Sequence, residues 1–362
     1  MTRSHFLIAT IACSLATSSI ATAAEVRYRL THIVGGSSIA QLQAGDMNRK
    51  GEVVGSITDF PNLHAFLWNG QFVDLHARID AASSSTFASG NNDRSDIAAS
   101  SVDAAGNEHG FLLLRGSKLV PVEVFPGSPI SISDVNDRRQ VTGTATDPSG
   151  VKHGFVWQRG EATLFDPLPV HQGRLTVAEI NDRGVVVGTS GQQFEEFDSE
   201  QAVIWKDGET IPIAPGTVGP DDEPANSQGI AINNRGQAIG ELSGLFSAEG
   251  YSFVWQDGQL TQLPTLDGGN PAANEVFDIN NRGAIVGWSS HAGSGGALTA
   301  VLWQDGSIVD LNEHVDASDP LREFVTLRVG VAINDRGEIV AQGHDSRADQ
   351  FHFDLYLLTP VR

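Results

Sequence analysis

Cysteine is nearly absent: Cys13 is the only one in 362 residues, and it falls in a segment that reads as a removable leader. A mature chain without it has no disulfide framework, no thiolate ligands for zinc and no thiol nucleophile. Positive charge is also scarce, with 23 Lys and Arg against 44 Asp and Glu and a net charge of −21. Phosphate recognition needs clustered Lys and Arg, so the composition argues against nucleic acid or an anionic membrane as a partner. It fits a soluble exported protein that resists aggregation. No long apolar helical stretch stands out. Gly-x-Ser-x-Gly, His-Glu-x-x-His and a phosphate-binding glycine loop are all missing, which removes the commonest local signatures of enzymes.

The N-terminus has the layout of a secretory signal. Arg3 is followed by a mostly apolar run over residues 6–16, then by the small-x-small pattern Ala21-Thr22-Ala23. Cleavage after Ala23 or Ala24 defines a leader of residues 1–24 and a single domain over 25–362. Loss of Arg3 takes the charge from −21 to −22. A spanning helix needs about 20 apolar residues, roughly twice this run, and Thr10 suits a lipoprotein signal before Cys13 poorly. The last residues, Leu358-Thr359-Pro360-Val361-Arg362, form no hydrophobic tail. The expectation is a periplasmic or extracellular monomer with no membrane insertion.

Glycine and turn residues, by contrast, are plentiful: 39 Gly and 15 Pro. They punctuate an internal repeat. An Asn is followed three residues later by Gly and then by a β-branched run, clearest in Ile180-Asn181-Asp182-Arg183-Gly184-Val185-Val186-Val187-Gly188. Ile232-Asn233-Asn234-Arg235-Gly236, Ile279-Asn280-Asn281-Arg282-Gly283 and Ile333-Asn334-Asp335-Arg336-Gly337 repeat it. Asn48, Asn136 and, most decayed, Asn92 complete seven copies, spaced 44, 44, 45, 52, 47 and 54 residues apart. About twenty residues after each Asn comes an aromatic strand such as His64-Ala65-Phe66-Leu67-Trp68 or His153-Gly154-Phe155-Val156-Trp157. Tight hairpin signals follow it: Asn69-Gly70, Asp207-Gly208, Asp257-Gly258 and Asp305-Gly306.

Each repeat therefore reads as four short antiparallel strands, with Asn-x-x-Gly turning the first into the second. Four strands in about 48 residues make one propeller blade. The expected fold is an all-β, seven-bladed β-propeller. The last repeat lacks its fourth strand, and residues 26–33 supply a spare one, so the ring is expected to close by the N-terminal strand joining the last blade. That gives 28 strands and hides the edges that an incomplete ring would expose.

The combined motif, His-Ala-Phe-Leu-Trp with Ile-Asn-x-x-Gly and Val-Val-Gly upstream, resembles the HAF-repeat family of bacterial extracellular repeat proteins. The resemblance covers about residues 44–358. It implies export and a repeat architecture, and no agreed activity. The chain departs from the pattern at Asn91 and Ala99 in the second repeat, and in the later repeats Gln201, Tyr251, Thr299 and Asp354 stand where the family has His.

The recurring Trp residues are expected to pack between blades, and His64, His109 and His153, lying on different blades, to be structural. Asp46, Asp134, Glu179 and Asp278 sit two residues before the motif Asn. If that strand lines the channel, four carboxylates gather there and could hold calcium, which prefers oxygen ligands; Gly90, Ala231 and Ala332 break the ring. No other cofactor is indicated. The connections after the second and fourth strands vary in length, so a protein or carbohydrate partner is expected on their face. The candidate contacts are Phe194, Glu195, Glu196, Phe197 and Asp198, with Asp221, Asp222 and Glu223. This reading is a non-enzymatic binding or scaffold module. The alternative is a glycoside hydrolase or polysaccharide lyase using paired carboxylates at one channel mouth.

Overall fold

A computed structural model describes residues 26–36, 42–59, 62–169, 174–193, 198–214, 217–218, 223–244, 250–266, 273–292, 296–348 and 353–361. They form seven antiparallel sheets around a central channel, a seven-bladed β-propeller. In blade 4 the strands run Arg174–Ile180, Val186–Gln193, Asp198–Lys206 and Glu209–Pro212, the first innermost. The proposed leader lies outside the described residues.

Ring closure follows the expected route. Arg27–Gly36 pairs antiparallel with Phe353–Val361 as the outermost strand of blade 7, with Leu30 opposite Leu358 and His32 opposite Tyr356. The connection from blade 6 straps this strand down: Tyr28 N–H donates to the His314 carbonyl (2.9 Å), and Leu30 N–H to Asp319 Oδ2 (2.8 Å).

Three local expectations need correction. The described residues hold 29 strands rather than 28, because Thr217–Val218 adds a short strand against Glu223–Ile232 at the entrance to blade 5. A five-residue helix, His76–Asp80, follows blade 1. Asp198 and Glu223, expected in loops, each open a strand, because the hairpins they belong to run further out from the disc than the turn residues suggest.

The turns form as their residues dictate. Gly51, Gly184, Gly236, Gly283 and Gly337 close the Asn-x-x-Gly turns at positive φ. In the two weaker copies Ser95 (φ 63°) and Arg139 (φ 60°) take the same left-handed position, at a cost of about 1–2 kcal/mol each. Hairpins such as Asp207-Gly208 have both central residues at positive φ, the type I′ turn that matches strand twist.

The core is divided among the blade interfaces. The described residues contain seven buried apolar clusters, each shared by two neighbouring blades. Trp157, Trp205 and Trp303 are buried in them. Trp205 lies 4.5 Å from the Phe165 ring of blade 3 and donates Nε1–H to the Asp166 carbonyl. The conserved spacing of Gly after the β-branched run has a steric cause here: a Cβ on Gly188 would overlap the Thr176 carbonyl oxygen and press on the Trp205 ring.

Candidate functional site

A β-bulge recurs in the first strand of every blade, three residues before the motif Asn, as between Ala44 and Asp46 or Val177 and Glu179. Bulges re-aim side chains, and the residues at and just after this one line the channel.

At the mouth on the turn side stands a ring formed by the seven motif asparagines, all of them buried. Each donates Nδ2–H to the backbone carbonyl of its counterpart in the next blade: Asn48 to Asn92 (2.9 Å), Asn92 to Asn136 (2.9 Å), Asn136 to Asn181 (2.9 Å) and Asn181 to Asn233 (3.0 Å). Asn233 to Asn280 (3.0 Å), Asn280 to Asn334 (3.1 Å) and Asn334 to Asn48 (3.1 Å) complete the circle. Each Oδ1 accepts from two N–H groups of its own turn, as Asn233 does from Arg235 and Gln237. The motif Asn is thus a turn residue and an inter-blade clasp at once. Its next-blade partner lies 44–54 residues away in the chain, which sequence reasoning missed.

The residue after the Asn builds a second circle. Arg49 N–H donates to Asp93 Oδ1, Asp93 to Asp137, Asp137 to Asp182, Asp182 to Asn234, Asn234 to Asn281 and Asn281 to Asp335. An acceptor is needed at this position, which explains why it is Asp or Asn in six blades. Arg49 interrupts the circle and instead places its guanidinium 3.3 Å from Asp93 and 3.5 Å from Asp335.

Deeper in the channel the four expected carboxylates do come together. Each reaches to the next blade: Asp46 accepts from Asn91 N–H (3.0 Å), Asp134 from Ile180 (3.0 Å), Glu179 from Ile232 (2.9 Å) and Asp278 from Ile333 (2.7 Å). The three aspartates also accept from their own following residue. The break at Gly90 is steric, because a Cβ there would overlap Asp134 Oδ1. Burial pushes Asp46 up to about 6, Asp278 to about 7 and Asp134 to about 8, and Glu179 well above the usual range; neighbouring negative charges add to each rise, and the backbone donors oppose it. The space beside them is about 140 Å³ at the turn-side mouth and about 110 Å³ at the other. Among the described residues no group of three or more His, Cys, Asp or Glu side chains is arranged to hold a metal ion.

Outside these layers the turn face carries a ring of cations. Lys50, Arg94, Arg138, Arg183, Arg235, Arg282 and Arg336 occupy the same turn position in successive blades, and all seven are exposed. Sequence reading placed the partner on the other face; the Asn-x-Arg-Gly spacing was the available signal for this one.

The histidines have acidic partners on the opposite side of the blades. His64 Nδ1 lies 3.0 Å from Asp74, His109 Nε2 3.3 Å from Asp103, and His153 sits between Asp166 (2.8 Å) and Asp147 (3.4 Å). His64 also stacks on His76 at 4.1 Å. Each set belongs to a single blade or its border, so the three histidines do not converge. Of the loop candidates, Phe194, Glu195, Glu196, Phe197, Asp221 and Asp222 lie outside the described residues.

No family model matches the chain, and no curated protein matches it. Among solved structures it is similar to the β-propeller domain of the Trilobed protease from Pyrococcus furiosus, which has an open velcro topology. The TM-score is 0.56 at 10% identity, over 88% of this chain and 97% of that one. YCF48 bound to D1 peptide gives 0.52 at 11%, over 93% and 96%. A puromycin-hydrolyzing peptidase of Mycobacterium tuberculosis gives 0.50 at 11%, over 88% of this chain and 52% of that one. At these identities the likeness concerns the propeller fold alone.

Proposed function

We propose that the chain is an exported, non-catalytic β-propeller, of the kind the HAF-type repeats suggest, that binds a protein or carbohydrate partner outside the cytoplasm. The observation that carries this reading is the use made of the channel carboxylates. A glycosidase needs two carboxyl groups free to meet a sugar, roughly 5–10 Å apart. Here all four accept backbone N–H groups of a neighbouring blade. The spaces of about 140 and 110 Å³ beside them fall below the roughly 300 Å³ of ordinary ligand sites. Their chemistry is that of inter-blade clasps. No helix among the described residues is long and apolar enough to cross a membrane.

The test is to incubate the full chain with neutral and acidic polysaccharides, following reducing ends and unsaturated uronate absorbance, alongside a binding screen on immobilised glycans and proteins. Binding without product is the expected result. Product release that Asp46→Asn or Glu179→Gln abolishes in a folded variant would establish the hydrolase or lyase instead.

A further inference from the structure

Between blades 1 and 2, on the turn face, lies a cleft of about 510 Å³, within the range of small-ligand sites. We propose that this cleft binds an acidic saccharide, with its carboxylate or sulfate held among Lys50, Arg94 and Arg115 and its hydroxyls against Glu52, Asn69 and Asn91. The proposal rests on the binding reading above and names its ligand class.

The three cations are exposed; the Arg94 charge acts on Asp137 of the next blade across space, and none of the three forms an ion pair among the described residues. Lys50 Nζ reaches Ser95 Oγ at 2.7 Å, and the guanidinium groups of Arg94 and Arg115 make no hydrogen bond or ion pair among the described residues. Glu52 Oε2 is already held by Asn48 Nδ2–H (2.6 Å) and Ser95 Oγ (2.7 Å). Asp96 is held by Arg139 at 2.7 Å, and Asp93 by Arg49 at 3.3 Å. In a chain with nearly twice as many acids as bases, three exposed cations in no ion pair on one cleft call for an anion. Guanidinium forks suit carboxylate and sulfate groups, which accept two parallel N–H bonds.

The second observation is Asn91. Every other blade has Met, Val or Ile at this place: Met47, Val135, Ile180, Ile232, Ile279 and Ile333. Asn91 is 5% exposed, and its Oδ1 has no hydrogen-bond partner, an arrangement that destabilises a fold. Ser95, the other departure from the repeat at this cleft, holds the left-handed position without being Gly. Two costly departures from one repeat thus meet at one cleft and make it polar. The wall they build offers the amide, hydroxyl and carboxylate groups of Asn69, Asn91, Ser95 and Glu52, which suit the hydroxyls of a sugar, groups that a bare inorganic anion lacks. No aromatic side chain lines the cleft, so it lacks the stacking platform that single-stranded nucleic acid uses.

The experiment is titration calorimetry of the full chain with trigalacturonate and a chondroitin sulfate tetrasaccharide, which separate carboxylate from sulfate, against maltotriose and inorganic sulfate. At least one acidic saccharide should bind more tightly than either control, and high salt should weaken it. Arg94→Ala and Arg115→Ala should each weaken binding by about tenfold, and R94E/R115E should abolish it with the circular dichroism and melting temperature retained. Asn91→Ile, which restores the repeat, should raise the melting temperature and lower the affinity. The proposal falls if neither acidic saccharide binds at millimolar concentration, if maltotriose or inorganic sulfate binds as well, or if R94E/R115E keeps full affinity. Should that happen while another glycan or a protein still binds, the cleft is dismissed and the wider binding reading stands.

Discussion

At the scale of single residues, the motif Asn does the most work per side chain. In Asn233 the amide makes one bond to blade 6 and three within its own turn segment, two accepted from the Arg235 and Gln237 N–H groups and one donated to Gln237 Oε1, and the side chain is buried. Its four polar contacts cannot be replaced by water without opening the blade interface. Asn233→Ala should therefore cost about 4 kcal/mol, at roughly 1 kcal/mol per bond. Asn233→Asp, which keeps the acceptor and loses the donor to Asn280 and Gln237, should cost less. Urea unfolding of both variants measures the difference, and an Asn233→Asp variant as stable as the parent would mean that the inter-blade bond contributes nothing. Trp205→Ala removes a buried ring between blades 3 and 4 and should cost about 3–5 kcal/mol. A near-neutral midpoint shift would place that ring outside the core.

At the scale of elements, each blade is an ordinary four-stranded meander whose hairpins follow from local turn chemistry. What the local pattern could not set is how far the hairpins project. Strand ends depend on pairing partners, not on turn residues alone, so Asp198 and Glu223 joined strands and Thr217–Val218 became an extra one. The N-terminal strand is the element on which the ring depends. Removing the chain through Gly36 would strip nine paired residues from Phe353–Val361 and expose its edge. The truncated protein should melt far below the full chain and self-associate, as followed by calorimetry and light scattering. Melting at the same temperature would show that blade 7 holds without it.

At the scale of the whole molecule, charge is sorted by depth and face. Buried carboxylates in the channel make stability depend on pH with a definite sign. Asp46, Asp278 and Asp134 bind their protons up to about 6, 7 and 8 in the fold, against 3.8 as the ordinary value. The folded state therefore holds protons that the unfolded state releases. Their contribution is most favourable at acidic pH and is lost as pH rises from near 3.8 through those values. Half-buried Asp147 and Asp345, held near 2 by hydrogen bonds and an Arg partner respectively, act in the opposite sense and lose their contribution as pH falls towards that value. The melting temperature should thus be higher at about pH 5 than at about pH 9, and Asp134→Asn should flatten that slope. A melting temperature that rises steadily over the same interval would contradict the burial assigned to these groups.

By itself the sequence determined the blade count, the strand order within each blade, the turn types and the closing role of residues 26–33. These follow from period, turn chemistry and one missing strand, all of which are local or countable along the chain. Only the tertiary structure decided what the repeated positions do together. Seven asparagines are turn residues until the ring brings each amide against a carbonyl 44–54 residues away in six blades, and the seventh against the first. Four acids scattered over residues 46–278 become one proton-holding group because bulges turn them into one narrow channel. The composition, averaged over the chain, spoke against nucleic acid or an anionic membrane as a partner. The fold instead concentrates a minority of cations on one face, because one turn position recurs seven times around a single axis. Average charge is set by counting residues, whereas local charge is set by where closure of the ring places them.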